Sequence, residues 1–216
     1  MLKLVVLISG AGRNLQAIHA AITNGSLNAC ILAVISNKAD AGGVVYAQQH
    51  GITTHVIPHT AYDSREAFDG ILAKTIDTYS PDIVVLAGFM RVLSSGFVQH
   101  YEGKLLNIHP SLLPKFKGLR THEQALAAGE TRHGATVHYV TADLDSGAAV
   151  LQGSLNITPQ HTAHSLAQDV MQHIETYIYP EVLRWLAQGR LRWQAGQVYL
   201  DGVMLNQPVL HTHTLL

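Results

Sequence analysis

Short apolar runs alternate along the chain with longer stretches in which apolar positions recur at the spacing of a helix. Apolar runs bounded by Gly, Asn, Asp or Ser are typical of strands, and strands that alternate with helices predict a parallel sheet. The run from Leu4 to Ile8 contains no polar residue, as expected for a strand covered on both faces. In the first half this pattern predicts strands at 4–8, 31–35, 54–57, 82–87 and 105–109, and helices at 15–23, 44–50 and 65–79.

The pattern changes after the fifth predicted strand. A long helical stretch runs from 164 to 188, and Pro180 inside it predicts a break or kink because proline lacks the amide hydrogen that a helix uses. The tail after Asn206 is predicted to be loosely held. The other elements predicted here are a helix at 122–128, strands at 136–140 and 150–157, and a hairpin over 192–200 that turns at residues 195 and 196.

Together these elements predict an α/β fold. We expect an open, mostly parallel sheet with helices on both faces and an antiparallel extension toward the C-terminus. The first half contains no repeat, low-complexity segment or linker, so the 216 residues are predicted to form a single domain.

Composition narrows the class of protein. Hydrophobic residues make up 47% and charged residues 13% of the chain, which is enough apolar surface for a full core. A net charge of −1 and a pI near 6.9 provide no electrostatic footprint for nucleic acid. Membrane-length apolar runs and a signal-peptide layout are both missing. We therefore expect a cytoplasmic protein that binds neither nucleic acid nor membranes.

The stretch Asn107-Ile108-His109-Pro110 places two polar side chains at the end of the fifth strand. Side chains alternate across a strand, so Asn107 and His109 point the same way, and Pro110 makes the chain leave the sheet just after the histidine. In an open α/β sheet ligands bind at this edge, where both side chains could donate to an oxygen that gains negative charge. The alternative is a solvated polar pair without chemistry.

A glycine-containing loop, Ser9-Gly10-Ala11-Gly12-Arg13-Asn14, follows the first strand. A dinucleotide fingerprint requires a third small residue where Leu15 stands, and an acidic residue where the chain has Ser36-Asn37-Lys38. Nicotinamide binding is therefore not predicted. Two glycines before a helix that starts near Asn14 instead suit a single phosphate. A tight turn without a ligand is the alternative.

A second polar loop, 141–147, contains two carboxylates close to a glycine. Such a loop is usually a solvated turn. A parallel sheet, however, would bring it to the same edge as His109, and a carboxylate within hydrogen-bond reach favours the protonated form of an imidazole. We choose Asp145 over Asp143 as that partner, although the spacing does not decide between them.

These residues resemble a known family. The stretch 107–114, with Gly118 beyond it, resembles the active-site stretch of the folate-dependent formyltransferases, and the chain is most similar to the branch that formylates glycinamide ribonucleotide in purine synthesis. The resemblance implies a Rossmann-like formyltransferase fold whose residues 1–109 bind phosphate and whose residues 110–216 bind folate and catalyse. The other matching segments are Val5-Val6-Leu7-Ile8-Ser9-Gly10, Asn14-Leu15-Gln16-Ala17-Ile18, Ser36-Asn37-Lys38-Ala39-Asp40, Asp63-Ser64-Arg65-Glu66-Ala67, Val84-Val85-Leu86-Ala87-Gly88-Phe89-Met90-Arg91 and His133-Gly134-Ala135-Thr136-Val137-His138.

The resemblance implies transfer of a formyl group from the co-substrate 10-formyltetrahydrofolate to the amine of 5-phosphoribosylglycinamide. It assigns the catalytic set to Asn107, His109 and Asp145. The amine would attack the formyl carbon while Asn107 and protonated His109 bind the oxygen as it becomes an alkoxide. Asp145 would keep His109 charged and help to move a proton toward the departing folate nitrogen.

Binding residues follow from the same resemblance. Gly12, Arg13 and Asn14 match the phosphate loop, where the family commonly has Ser in place of Arg13, so the use of the arginine is left open. Gln172 and Glu175 lie three apart on a predicted helix, hence on one face, and resemble residues that hold the ribose and glycinamide. An exposed helix face is the alternative. The residues that match the folate site are Arg65, Met90, Arg91, Val92, Leu93, Asn107, Thr141, Ala142, Asp143 and Leu144.

Other activities fit these residues less well. The chain has 14 histidines, but no ligand spacing such as His-x-x-x-His on a helix accompanies them, and no metal is predicted. Formyltetrahydrofolate deformylase would use water as the nucleophile, and methionyl-tRNA formyltransferase would need a basic tRNA-binding domain that we do not expect here. A non-catalytic binder would require a broken catalytic set. A monomer or weak homodimer that acts on small molecules is expected.

Overall fold

The fold is organised around one large sheet. The computed structural model describes residues 1–213. Its strands are β1 (Leu2–Ile8), β2 (Ala29–Ser36), β3 (Thr54–Val56), β4 (Ile83–Leu86), β5 (Leu105–His109), β6 (Arg132–Tyr139), β7 (Ala149–Asn156), β8 (Leu191–Gln194), β9 (Gln197–Leu200), β10 (Val203–Met204) and β11 (Val209–Thr212). Eight of them form a sheet in the order β11-β7-β6-β5-β4-β1-β2-β3, and β8, β9 and β10 form a smaller antiparallel sheet.

Most strand pairs in the large sheet are parallel. Strand β1 pairs in parallel with β2 and β4, β2 with β3, β4 with β5, and β7 with β11, whereas β6 and β7 are antiparallel. The helices are α1 (Arg13–Thr23), α2 (Gly42–Gln49), α3 (Arg65–Asp77), α4 (Ser95–His100), α5 (Thr121–Ala127), α6 (Ala163–Asp169) and α7 (Thr176–Ala187). The predicted α/β class, a mostly parallel sheet with an antiparallel extension, is therefore confirmed.

The chain separates into two compact units. The first unit comprises residues 1–107 and 140–142, and the second unit comprises 108–139 and the described residues from 143 onward. The single formyltransferase domain that the sequence favours, with halves at 1–109 and 110–216, stays a prediction.

The core of the first unit is built on β1. Its residues from Leu4 to Ile8 have no more than a trace of exposed surface, as their uninterrupted apolar sequence predicted. Phe68, Leu72 and Ile76 lie on one face of α3 and join the same core. Ser64 caps this helix by accepting a hydrogen bond from the Ala67 N–H at 3.1 Å.

Helix α4 was not predicted. It spans only Ser95–His100, and its two buried side chains, Phe97 and Val98, are too few to give a helical period. Its start does carry a local signal, because the Ser94 hydroxyl accepts a hydrogen bond from the Phe97 N–H at 3.3 Å.

Of the break or kink predicted at Pro180, the break is wrong. Pro180 lies inside α7, which continues to Ala187, and the irregular segment is instead a π-helical turn at Val170–Glu175. That turn ends next to Thr176, whose carbonyl would meet the proline ring in a regular helix. A wider turn directly before Thr176 offers a physical reason why the chain continues as a helix past Pro180.

The C-terminal segment is better held than predicted. The hairpin of β8 and β9 turns at residues 195 and 196 as expected. The tail after Asn206, however, forms β11 against β7, and the His213 N–H donates to the Ser154 carbonyl at 2.8 Å. Rings of His211 and Tyr177 stack with centroids 4.5 Å apart, which a solvated tail would not do. Residues 214–216, also part of that prediction, lie outside the described residues.

Candidate active site

Three ionisable side chains meet in the second unit. His109, the last residue of β5, has its Nδ1 atom 3.4 Å from Oδ2 of Asp145. The other carboxylate oxygen, Oδ1, lies 3.7 Å from Nε2 of His138. The side chains of His109 and Asp145 are only 7% and 8% exposed, so water screens their interaction weakly.

The segment 110–118 holds both members of the His109–Asp145 pair through its backbone. The Nε2 atom of His109 lies 2.9 Å from the Phe116 carbonyl oxygen, and the Gly118 N–H donates to Oδ2 of Asp145 at 2.9 Å. A carbonyl oxygen can only accept, so Nε2 carries a hydrogen. Both ring nitrogens of His109 therefore face acceptors, an arrangement that suits an imidazolium with two N–H groups.

Asp145 is set apart from its neighbours by backbone conformation. Its φ of +47° is in the left-handed region, where a non-glycine residue is held only by its surroundings. The hydrogen bond from Gly118 and the nearby His109 imidazole provide that support. Asp143, the rejected alternative, is exposed.

His138 is a further candidate site residue, which the sequence analysis placed in the matching segment 133–138 without a catalytic or binding role. Its Nδ1–H donates to the Tyr139 carbonyl at 2.9 Å, which leaves Nε2 to face Asp145. Burial lowers the pKa of His138, although the Tyr139 carbonyl and Asp145 act in the opposite direction. The neutral ring then places a lone pair toward the carboxylate. The signal that was available is a histidine between Val137 and Tyr139 in a strand whose last seven residues are buried.

A second histidine pair lies in the same unit. Nε2 of His133 and Nδ1 of His122 are 3.1 Å apart, and one of them donates to the other. Burial, with a smaller effect of His122, lowers the pKa of His133 to about 4. Burial also lowers the pKa of His122, with a contribution from His109. Both rings are therefore neutral near neutral pH.

The predicted phosphate loop lies in the first unit. Gly12 has a φ of +73° and occupies the N-cap position of α1, and a Cβ atom there would lie 2.7 Å from Cα of Gly43. Only glycine fits such a site. Because glycine has no side chain to cap α1, the first N–H groups of the helix remain suited to an anion. Arg13 is exposed, whereas Asn14 is 4% exposed.

Hydrogen bonds that the sequence did not reveal join three loop segments of the first unit. The Ser9 hydroxyl donates to Oδ1 of Asn37 at 2.6 Å and accepts from the Met90 N–H at 2.8 Å. Ser9 and Asn37 directly follow β1 and β2. Their contacts fix the start of the segment 90–93, which was predicted to flank folate.

The predicted folate residues of the first unit differ in exposure. Met90 and Val92 are 66% and 54% exposed, while Leu93 is 8% exposed. The Arg91 guanidinium lies 5.8 Å from the centre of the Phe68 ring. Arg65 begins α3 and is exposed.

The remaining predicted folate residues are those of the loop at 141–144 and Asn107 in β5. Thr141, Ala142, Asp143 and Leu144 are all exposed, and Leu144 shows 54% of its surface. Asn107 is half-buried in β5, two positions before His109, so strand alternation directs both side chains to one side of that strand.

Gln172 and Glu175 do not share a face as expected. They lie in the π-helical turn, whose wider period invalidates the α-helical rule that residues three apart are neighbours. Gln172 is exposed, whereas Glu175 is 5% exposed.

No metal centre is evident in the described part of the chain: residues 1–213 contain no group of three or more His, Cys, Asp or Glu side chains that could hold an ion.

A groove of about 710 Å³ between α3 and α4, lined by Asp69, Asp77 and His100 among others, contains none of the predicted site residues. Chemistry rather than cavity size therefore identifies the candidate site. Over the same residues no helix has the length and apolarity to cross a membrane.

Known proteins resemble the chain over nearly its full length. Residues 2–183 match the family model described as formyl transferase. Phosphoribosylglycinamide formyltransferase of Escherichia coli strain K12 is 50% identical over 204 residues, which cover 94% of this chain and 96% of that protein. The human trifunctional purine biosynthetic protein adenosine-3 is 45% identical over 190 residues, covering 88% of this chain and 19% of that protein.

Solved structures agree with this similarity. The structure of phosphoribosylglycinamide formyltransferase from Coxiella burnetii, in complex with CHES, superposes with a TM-score of 0.92 and 56% identity. The match covers 97% of this chain and 99% of that one. A glycinamide ribonucleotide transformylase from Symbiobacterium toebii gives a TM-score of 0.88 at 40% identity, covering 93% of this chain and 94% of that one.

Proposed function

Because the chain belongs to the formyl transferase family, we propose that it transfers a formyl group from 10-formyltetrahydrofolate to the amine of 5-phosphoribosylglycinamide. The products are the N-formyl ribonucleotide and tetrahydrofolate, and the reaction is a step of purine synthesis. The similarity to a phosphoribosylglycinamide formyltransferase, which covers 94% of this chain, supports this choice. Hydrolysis of the folate by a deformylase is not favoured by these relatives.

The single observation that carries the mechanism is the buried His109–Asp145 pair. The neutral amine attacks the formyl carbon, and the carbonyl oxygen becomes an alkoxide in a tetrahedral intermediate. Nδ1 of His109 and Oδ2 of Asp145 are 3.4 Å apart, which is longer than the roughly 2.7–2.9 Å of a strong charged hydrogen bond. This N–H can therefore also donate a hydrogen bond to the alkoxide. One such donor typically contributes roughly a hundred- to a thousand-fold in rate.

Asn107 and Asp145 complete the catalytic set. Asn107 is the second donor to the alkoxide, as its place two positions before His109 in β5 supports. Asp145 stabilises the imidazolium and passes the proton of the new ammonium toward the folate nitrogen that leaves. The step breaks the bond from the formyl carbon to folate and forms the bond to the amine, and it needs no covalent enzyme intermediate.

The ribonucleotide binds through the loop before α1. Backbone N–H groups of Gly12, Arg13 and Asn14 hold its phosphate, a role that the uncapped helix start supports. The exposed Arg13 side chain is free to add charge at this site. Gln172 and the buried Glu175 hold the ribose and glycinamide, since their different exposure allows Glu175 an inner and Gln172 an outer contact.

The folate binds to an apolar slot. The exposed side chains of Met90 and Val92, with Leu93 beneath them, provide apolar surface for the pterin. The loop residues Thr141, Ala142, Asp143 and Leu144 close over the ring, and Arg65 and Arg91 bind on the folate side. No metal takes part in this proposal.

The enzyme acts on small molecules in the cytoplasm, as a monomer or weak homodimer, without nucleic acid or membrane partners. The balanced net charge of −1 supports this part of the proposal.

Mixing the protein with 10-formyltetrahydrofolate, with and without 5-phosphoribosylglycinamide, tests the function. We expect the absorbance change that accompanies loss of the formyl group only when both substrates are present, because direct transfer requires them to be bound together. A change without the ribonucleotide would identify a hydrolase. No change in either mixture would identify a binding protein.

A further inference from the structure

Loop 110–118 supplies the backbone groups that hold His109 and Asp145, so whatever fixes this loop also fixes the pair. Its Phe116 carbonyl and Gly118 N–H each make a 2.9 Å hydrogen bond to the pair. Phe116 and Gly118 both have positive φ, at +55° and +76°. A bulky side chain such as that of Phe116 disfavours this conformation. The loop therefore needs support from outside itself.

Two buried side chains of the large sheet provide that support. The Thr136 hydroxyl, on β6, donates to the Ser111 carbonyl at 2.7 Å and accepts from the Leu113 N–H at 3.1 Å. The Gln152 amide, on β7, donates to the Leu113 carbonyl at 2.7 Å and to the Thr136 hydroxyl at 3.0 Å. Thr136 is fully buried and Gln152 is 9% exposed.

The donors and acceptors of this network are matched. The two hydrogens of the Gln152 amide go to different acceptors, and the Thr136 hydroxyl gives its one hydrogen and accepts two. A carboxylate at position 152 would place an acceptor against two acceptors, and an apolar side chain would leave the buried Leu113 carbonyl with one partner fewer. The network therefore specifies an amide at 152 and a hydroxyl at 136.

We propose that Gln152, with Thr136 as its partner, is a positioning residue for formyl transfer, which holds the His109–Asp145 pair in place through loop 110–118. This inference rests on the proposed function. Neither side chain touches the reacting atoms. Their effect is on geometry, and a displacement of about 1 Å at a catalytic group can cost roughly a hundred-fold in rate.

The test compares Gln152→Met, Thr136→Val and Thr136→Ser with the wild type. Gln152→Met keeps length without donors, Thr136→Val keeps shape without the hydroxyl, and Thr136→Ser keeps the hydroxyl. We expect the first two to lower kcat by roughly ten- to a hundred-fold with little change in KM, and Thr136→Ser to retain most activity. Rates are normalised to the folded protein present.

A matched control and a second readout separate positioning from loss of structure. Ser154 lies on the same strand as Gln152, is 7% exposed, and bonds to Arg132 rather than to the loop. Ser154→Ala should therefore keep kcat. The ¹⁵N chemical shifts of the His109 ring should move in Gln152→Met and Thr136→Val, because the hydrogen bond to Phe116 changes, and stay in place in Ser154→Ala.

Wild-type kcat and unchanged His109 shifts in folded Gln152→Met, or in Thr136→Val if the first variant does not fold, would overturn the inference. An equal loss of kcat in Ser154→Ala would also overturn it. If the wild type itself transfers no formyl group, the proposed function fails, and the ring shifts of His109 still decide whether Gln152 positions it.

Discussion

The histidines of the second unit differ in their surroundings although they are close in space. His122, His133 and His138 all have pKa values lowered chiefly by burial. Their rings are neutral near neutral pH and add no positive charge beside His109. His109 is the member of this group whose Nδ1 faces Asp145, and the proposed mechanism uses it as the cation.

The low pKa of His133 makes stability depend on pH. In the unfolded chain its pKa is near 6.5, whereas in the folded protein it is about 4, so protons bind the unfolded chain preferentially between these values. Stability should be full above about pH 6.5 and fall as the pH drops toward 4, by on the order of 3 kcal/mol from this residue. The measurement is the free energy of unfolding in urea at about pH 7 and about pH 4.5.

His133→Asn should reduce that pH dependence, whatever its effect on stability at neutral pH. His164→Asn is the control because His164 is exposed, and it should leave the dependence as in the wild type. Equal pH dependence in the wild type and His133→Asn would show that His133 does not titrate as described.

Whole elements depend on a few close backbone contacts. The loop before α1 packs against the start of α2, where the Gly43 N–H donates to the Gly10 carbonyl at 3.0 Å. A Cβ atom on Gly12 would lie 2.7 Å from Cα of Gly43, and a Cβ atom on Gly43 would lie 2.6 Å from Cδ1 of Ile8 and 3.1 Å from Cα of Gly12. The loop that is proposed to hold phosphate is therefore shaped by its neighbour as well as by its own glycines.

Gly12→Ala should destabilise the protein and weaken ribonucleotide binding. The positive φ and the 2.7 Å approach to Gly43 predict a loss of about 2–4 kcal/mol. Gly10→Ala is a matched control, since a Cβ there meets nothing within 4 Å, and it should cost less than about 1 kcal/mol. Urea unfolding and the KM for the ribonucleotide measure both variants, and equal losses would refute this account of Gly12.

Elements with a strong local signal were predictable. The strand 105–109 and the hairpin turn at residues 195 and 196 were placed correctly, because an apolar run before a proline and a turn dipeptide are local features. Three other elements were not predicted, because they leave little trace in a local pattern. Helix α4 is too short, the π-helical turn has a wider period than an α-helix, and strand β11 depends on pairing with the distant strand β7.

At the scale of the whole molecule, the sequence identified the pair of side chains to which the proposed chemistry is assigned, but not the contacts that support that pair. It selected His109 and Asp145, which the structure places within 3.4 Å of each other. It assigned no catalytic or binding role to His138, which lies beside Asp145, and it did not identify Gln152 and Thr136 as supports of the loop. These three side chains act through contacts between segments far apart in the chain, which residue spacing does not report.

The central claim is that His109 and Asp145 act as one catalytic unit in formyl transfer. Single-turnover rates of the wild type, His109→Asn, Asp145→Asn and the double variant test it most directly, with both substrates saturating. We predict that each single change lowers the rate by roughly a hundred- to ten-thousand-fold and that the double variant is about as slow as the slower single one. A single variant with a near-normal rate, or two losses that simply multiply, would contradict the account.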